Sequence, residues 1–551
     1  MSCRGAEAGA GSPDEMPAAL VALAAAAPVL LPLLLLAALR WPAARAMAVT
    51  ALATAGLALA AFRVPPLRVA AAAIEGAVIA LSILLILFGA LLLSAQLAAG
   101  GAIRRIEGWL AAQSGDPRVQ ALLVAWLLGS FLEGAAGFGT PAAITAPLLV
   151  ALRFPPVLAV VVALVGDSVA VVFGAVGTPL LVGMEEALAP LGPGVPGAAA
   201  IGRRAAGLDL IAGTMMPALL VMTLCIAAAG RAGLGPGGRA VPLSLAIGLA
   251  HTLATFAAAS TLGPELPSLI GPAVGLGVAL LLVRRGWLVP RAPFHLPPGE
   301  AAAEVVTRAP ERPLPSLALA LLPYGLVVLL LATSRARALP LGSWLRAVEL
   351  AVPDLFGTSV GASLQPLYSP GFLFALVALA AVPLLGASAA SLRDSASRSL
   401  AIGLRAAPAL VAALVAVRIF LRSDVNAAEL PAMPLVLARL AADATGAAWG
   451  PFAPWLGALG SFLAGSATFS NLLVAPVQHA VAGLHGLDAT TVLALQAMGA
   501  AAGNMVCVHN VVAAAAVVNV TGREGDVIRR TFWPMAVYLT IAGALGALAL
   551  R

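Results

Sequence analysis

Lysine is missing altogether: the 31 basic residues among 551 are all arginine, set against 24 Asp and Glu, for a formal net charge of +7. Charged residues of every kind make up only 10% of the chain and aromatics 5%. So thin a charge excludes an extended basic surface for nucleic acid, and scattered pairs such as Arg104/Arg105, Arg203/Arg204 and Arg284/Arg285 read as loop anchors under the positive-inside rule. The absence of lysine beside abundant alanine points to GC-rich coding. Three cysteines, Cys3, Cys225 and Cys507, are too few and too dispersed for a disulfide framework or a metal cluster, and no cofactor is expected. H-E-x-x-H does not occur, and the one G-x-S-x-G match, GTSVG at 357–361, lies in the amphipathic or loop stretch over 335–370 and not at a strand-to-helix turn, so the chain does not read as an enzyme.

What is present is apolar sequence. Hydrophobic residues reach 61% and the mean hydropathy +1.02, and apolar runs long enough to span a bilayer recur throughout. This predicts an all-α, polytopic membrane protein with about 11 to 14 crossings and no large soluble domain. A polar leader over 1–16 precedes an apolar run over 17–39 that is longer than a signal-peptide core, which favours a retained first span. The Arg-, Glu- and Pro-rich stretch over 284–315 reads as a linker between a first half (17–283) and a second half (316–551).

The two halves are related. GSFLEGAAGFGTPAAITAP at 129–147 recurs as GSFLAGSATFSNLLVAPVQ at 460–478, with Gly129 and Gly460, and Phe138 and Phe469, each 331 residues apart. Each copy places glycines and hydroxyl or amide side chains in the middle of apolar sequence, where a continuous span with small residues for packing is the plainer reading. The repeat favours the other: a helical hairpin that dips into the membrane and turns back, near 121–152 and again near 452–484. Each arm of the first would be about 20 Å long at 1.5 Å per residue, short of a core about 30 Å thick. Thr140-Pro141 supplies a helix restart, and the offset places Asn471, another favoured N-cap, opposite Thr140. Long runs near 157–188 and 490–520 are interrupted in the same way, with Thr178-Pro179 and Asn510 as restarts. Four helix N-termini could then converge on an anion. The substrate-contact candidates are Gly137, Gly139, Thr140, Ser466, Thr468, Ser470, Asn471, Asn504 and Asn510.

FLEGAAGFGTPAAITAPLL at 131–149, FPPVLAVVVALVGDSVAVVFGAVGTP at 154–179, GPELPSL at 263–269, LALQAMGAAAGNMVCVHNVVAA at 493–514 and GREGDVIRRT at 522–531 resemble the L-lactate permease family of bacterial monocarboxylate transporters. The resemblance implies a proton-coupled carrier for lactate, glycolate and similar 2-hydroxy acids in a bacterial inner membrane. It also implies two inverted repeats, each with a re-entrant hairpin and a broken transmembrane helix, working by alternating access. The expected partners are a small monocarboxylate, protons and the lipid bilayer; oligomeric state stays open, with a homodimer among the options. A sodium-coupled carrier is the nearest alternative, followed by a channel or a membrane-embedded enzyme.

Moving a monoanion against an inside-negative potential costs about 2.3 kcal/mol per 100 mV, and one co-transported proton cancels that charge. Glu133 before the first tip, Asp167 at the first helix break and His509 at the second are the proton-coupling candidates. Each has a structural alternative: Glu133 as a cap or ion-pair partner, Asp167 as a ligand of its own backbone break or of a cation, His509 as a neutral partner of Asn504 or Asn510. Arg418 lies near the end of an apolar run and is expected to snorkel to the interface, with Glu75 and Glu265 interfacial and His479 and His485 in loop roles.

Overall fold

The computed structural model describes residues 18–32, 34–35, 39, 41–137, 140–297, 313–335, 339–446 and 448–550. The leader over 1–16 and the middle of the linker over 284–315 fall outside these. The described residues are almost entirely helical, apart from an antiparallel ribbon that pairs Leu350–Val352 with Ala362–Leu364. Among the described residues ten segments are long and apolar enough to cross a membrane, against the 11 to 14 crossings expected. The difference has a physical source. Ala19–Pro32, Pro141–Ala151, Pro156–Gly166 and Pro370–Leu384 are apolar but short, and the 50-residue segment Ala212–Thr261 folds as two helices about a turn at Gly230–Gly233. Leu52, Leu404 and Leu548 are 74%, 63% and 67% exposed, an outer surface suited to lipid and not to water.

Proline and glycine punctuate the helices. The 34-residue helix Pro66–Ala99 begins with proline in its first turn, where the missing N–H costs nothing, and stops at Gly100, after which Gly101 takes φ +73°. At about 1.5 Å per residue it is roughly 50 Å long, so it tilts within the bilayer or projects beyond it. Its main neighbours are the 33-residue helix Ala389–Leu421 and the helix Pro370–Leu384. A methyl group at Gly76 would run into the Leu414 backbone, and one at Gly89 into the backbone of Gly371. Such backbone approach gains dispersion contacts where lipid removes any hydrophobic drive between helices.

Ion pairs hold this helix group together and join it to the rest. Arg422 Nη2 reaches Glu75 at 2.8 Å, Arg418 Nη2 reaches Glu186 at 2.7 Å, and Arg68 Nη2 reaches Asp424 at 2.7 Å. Arg418 therefore does not snorkel: its side chain is 1% exposed, because carboxylates from two other helices neutralise it where it lies. Glu75 and Glu265 are likewise buried rather than interfacial, the latter paired with Arg335 at 2.8 Å.

Candidate functional site

In the first half, Asp116 caps the arm Pro117–Ala135 by accepting from the Arg118 amide at 2.8 Å. The arm ends at Ala136, Gly137 takes φ +59°, and a second arm runs Thr140–Ala151. The 12 residues of that second arm reach about 18 Å, well short of a 30 Å core. Pro156–Gly166 follows and breaks at Asp167. Beyond a 3-10 turn at Val169–Phe173, three consecutive residues adopt left-handed geometry: Ala175 (φ 41°), Val176 (φ 58°) and Gly177 (φ 75°). For the two non-glycines this costs about 1–2 kcal/mol each, strain of the kind that concentrates at working sites. Pro179 then restarts the helix, as its sequence position implied, while the Thr178 hydroxyl donates back to the Ala175 carbonyl at 2.5 Å.

In the second half the arm Ala453–Ala464 ends at Gly465, whose φ of +73° favours glycine. Ser466 occupies the N-cap position in extended geometry, and the next arm is Ala467–Leu484. Asp488 caps Ala489–Gly503 through the Thr490 and Thr491 amides; the chain breaks at 504–506 and resumes as Val508–Val517 after Cys507. Two expected restarts are therefore displaced. Asn471 lies one turn inside its helix and Asn510 three residues inside its own, because Gly465-Ser466 turns the chain in fewer residues than the first tip uses and Cys507 starts the last segment.

The interruptions meet. A single cavity of about 30 Å³ is lined by Glu133 of the first arm, by Val171, Gly174, Ala175 and Pro179 of the first break, by Gly465 to Thr468 of the second tip, and by Asn504 of the second break. Its polar groups are thus a carboxyl, two hydroxyls, an amide and tip backbone. The volume holds about two waters by the usual allowance of roughly 10–15 Å³ each, less than a three-carbon hydroxy acid fills. Behind the break, Gly177 packs on the Pro264 backbone, and the following Glu265 lines an open pocket of about 640 Å³ with Arg203, Ser260, Thr261, Arg335 and Tyr368.

Of the residues chosen from sequence, Glu133, Ser466, Thr468 and Asn504 line the cavity. Asp167 is 3% exposed and faces Glu133 within hydrogen-bonding reach, while Glu133 Oε1 sits over Gly174. Gly137 packs against Ala175, and Asn510 Nδ2 reaches the Asn504 carbonyl at 3.5 Å. His509 is exposed beside Gly465 and does not reach into the cavity. Gly139 and the Thr140 side chain lie outside the described residues. Ser470 and Asn471 stand behind the wall: Ser470 Oγ donates to the Gly457 carbonyl at 2.8 Å, and Asn471 Nδ2 to the Pro179 carbonyl at 2.9 Å. They belong to a buried polar chain that sequence reading did not find, in which Trp449 Nε1 donates to Gln478 Oε1, Gln478 Nε2 to Gln496 Oε1, and Gln496 Nε2 to Ser470 Oγ. The chain joins the second hairpin to the helix beneath it, and Asn471 carries it across to the first half.

A family model described as L-lactate permease matches residues 21–551. A Haemophilus influenzae protein described as "Putative L-lactate permease" is 30% identical over 492 residues, covering 84% of this chain and 86% of that protein. The "Glycolate permease GlcA" of Escherichia coli K12 is 28% identical over 78% of each chain. The "L-lactate permease" of Bacillus subtilis 168 is 29% identical over 76% of this chain and 75% of its own.

Proposed function

Because the chain belongs to the L-lactate permease family, we propose that it carries L-lactate, glycolate and related 2-hydroxy monocarboxylates across the plasma membrane of a bacterium, together with a proton and by alternating access. The observation that carries this reading is the cavity to which both halves contribute an interrupted helix, since carriers form sites where repeats meet. On this reading the halves over 17–283 and 316–551 are inverted repeats, and 121–152 and 452–484 are re-entrant hairpins that each contribute to the substrate site. The Ser466 and Thr468 hydroxyls and the N-terminal amides of Ala467–Leu484 suit a carboxylate, being donors at a positive dipole end. The open pocket with Arg203 offers an anion a vestibule on the far side of the first break.

Proton coupling draws support from the carboxyl pair. Among the described residues Glu133 Oε2 and Asp167 Oδ1 meet no donor, and two facing carboxyls form a hydrogen bond only when one of them holds a proton. A proton taken up there cancels the charge of the incoming monoanion. The test is uptake of labelled lactate into proteoliposomes under an imposed pH gradient or an imposed sodium gradient, with glycolate, pyruvate and succinate as competitors. Stimulation by the inward proton gradient and competition by glycolate are expected; stimulation by sodium alone overturns the coupling, and no saturable uptake overturns the carrier.

A further inference from the structure

Ten buried side-chain nitrogen or oxygen atoms lack a hydrogen-bond partner among the described residues, and six of them belong to one neighbourhood: Trp126 Nε1, Ser130 Oγ, Glu133 Oε2, Asp167 Oδ1, His251 Nδ1 and Thr255 Oγ1. Trp126, Ser130 and Glu133 follow one another at four and three residues along the first arm, a single stripe. His251 and Thr255 form a matching stripe, four apart, on the helix Leu234–Thr261. The stripes face each other. The Trp126 and His251 rings are 5.3 Å apart, and a methyl group at Gly271 would meet both Thr255 Oγ1 and His251. Gly275 lies against Leu127 and His251, and Gly134 against Ser268, so the helix Pro267–Arg285 runs antiparallel to the arm and sets Ser130 level with Gly271. The row thus runs from Trp126 and His251 past Thr255 and Ser130 to Glu133 and Asp167, about 10 Å for seven residues of arm.

A hydroxyl inside a membrane helix ordinarily donates to the carbonyl one turn back. Thr145, Thr214, Ser244 and Thr252 do so here, and Ser130 and Thr255 do not. Buried groups left without a protein partner are costly, and small hydrogen-bonding guests are what such sites take. No ion pair or hydrogen bond links His251 to a charged side chain among the described residues. The elements packed against it present Trp126, Leu127, Gly271 and Gly275, and on the side of Thr252 the carboxyl Asp209, which already accepts from the Tyr538 hydroxyl at 2.7 Å.

We propose that this row holds water and conducts protons between the Glu133–Asp167 pair and His251, which makes His251 a second proton-exchanging group for the carrier. The inference rests on the proton-coupled reading above. In each transfer the carboxyl gives its proton to the nearest oxygen of the row, one proton arrives on His251 Nδ1, and the imidazolium releases one from its other ring nitrogen to a water molecule; no bond to carbon changes. Seated away from the substrate cavity, His251 serves proton movement and not lactate binding.

The experiment separates those two. Proteoliposomes with a trapped pH dye report lactate-driven proton uptake, and counterflow of labelled lactate at equal pH reports substrate translocation with no need for proton release. For His251→Gln the expected result is counterflow within about twofold of wild type, with proton uptake and uphill accumulation reduced at least tenfold. Thr255→Val is expected to slow proton uptake and Thr255→Ser to restore it, while Ser244→Ala, at a back-bonded hydroxyl of the same helix, leaves both rates unchanged. Unaltered proton uptake in His251→Gln and Thr255→Val overturns the proposal, as does loss of counterflow in step with proton uptake, the mark of a structural role. If His251→Gln is not recovered from the membrane, Thr255→Val with Ser130→Ala reads the same split. Wild-type protein that carries lactate without moving protons would instead refute the coupling itself.

Discussion

Asn471→Leu is the substitution that best separates a wall from a ligand. The side chain is fully buried, its Nδ2 donates to the Pro179 carbonyl at 2.9 Å, and its Oδ1 lies 3.4 Å from Gln496 Nε2. Gln496 keeps Ser470 as an acceptor at 3.1 Å, so the principal loss is the single bond that joins the second hairpin to the restart of the first broken helix. A net hydrogen bond is worth about 1 kcal/mol, and leaving buried groups unpaired raises the penalty to roughly 3 kcal/mol. If that bond is made only while the cavity is closed, the closed-to-open ratio falls by about 5- to 150-fold, since 1.4 kcal/mol is a factor of ten. The assays are thermal unfolding in detergent and the concentration dependence of lactate uptake. The expected variant unfolds at lower temperature and turns over more slowly, and its ratio of lactate to glycolate affinity is that of wild type. A normal unfolding temperature with a changed substrate preference would show that Asn471 touches the guest, and the reasoning from its bond to Pro179 would fail.

Arg418→Met removes the cation shared by Glu186 and Glu75, but Arg422 still holds Glu75 and the Glu186 side chain is 43% exposed, so the main loss is the donation to the Glu186 carbonyl and carboxylate, expected to cost about 1–3 kcal/mol and read as lower yield and unfolding temperature, with Arg418→Lys intermediate. Gly499→Val drives a side chain into the Pro454 backbone and is expected to destabilise by about 1–3 kcal/mol or more; Gly483→Ala, with open space about it, is expected to be neutral or to stabilise by up to about 1 kcal/mol, both read by thermal unfolding. Asp488 adds a pH test. Burial pushes its carboxyl up, but the Thr491 hydroxyl and amide, the Thr490 amide and Arg204 outweigh that and hold it below the usual carboxylate range. A depressed value means that the cap's contribution is complete above the unfolded value near 3.9 and is lost as pH falls through the folded value. The unfolding-temperature gap between wild type and Asp488→Ala should therefore be constant from pH 7 to about 5 and close below about 4; a gap that persists at the lowest pH removes the carboxylate from the account.

The local punctuation was legible in the sequence because proline and glycine act through their own backbones. Pro179 had to follow a break, since its ring fixes φ and lacks a donor, and Gly465 had to turn the chain where φ is positive. Asn471 and Asn510 were misplaced as helix starts for the opposite reason: a constant offset relates residues, and it does not say how many of them each tip spends on its turn. Arg418 was misread because depth along a run says nothing of lateral neighbours, and its partner Glu186 is 232 residues away in the chain. His251 could have been found as an ionisable residue inside the apolar run Leu243 to Leu262, which is unusual enough in a membrane to call for a reason. The glutamines at 478 and 496 gave no such signal, because an amide in a helix is ordinary until its partner is known.

The charges of this protein divide by what they are allowed to do. Where long helices must stay together, Arg68, Arg418 and Arg422 meet Asp424, Glu186 and Glu75 at 2.7 to 2.8 Å, and each cation finds a carboxylate on another segment. Such pairs return little net stability once desolvation is counted, yet breaking one is expensive, so they fix relative position more than they add strength. Beside the cavity the rule is reversed. Glu133 and Asp167 face each other with no cation, next to a backbone break that is itself strained at Ala175 and Val176. Two acids without a counter-charge are stable in a buried place when one of them holds a proton, and a strained break is the kind of element that two states can hold differently. A rigid frame of matched charges around a small set of unmatched ones suits the proposed carrier: the frame keeps the helices from drifting, and on that reading the unmatched acids let an anion and its proton change the balance.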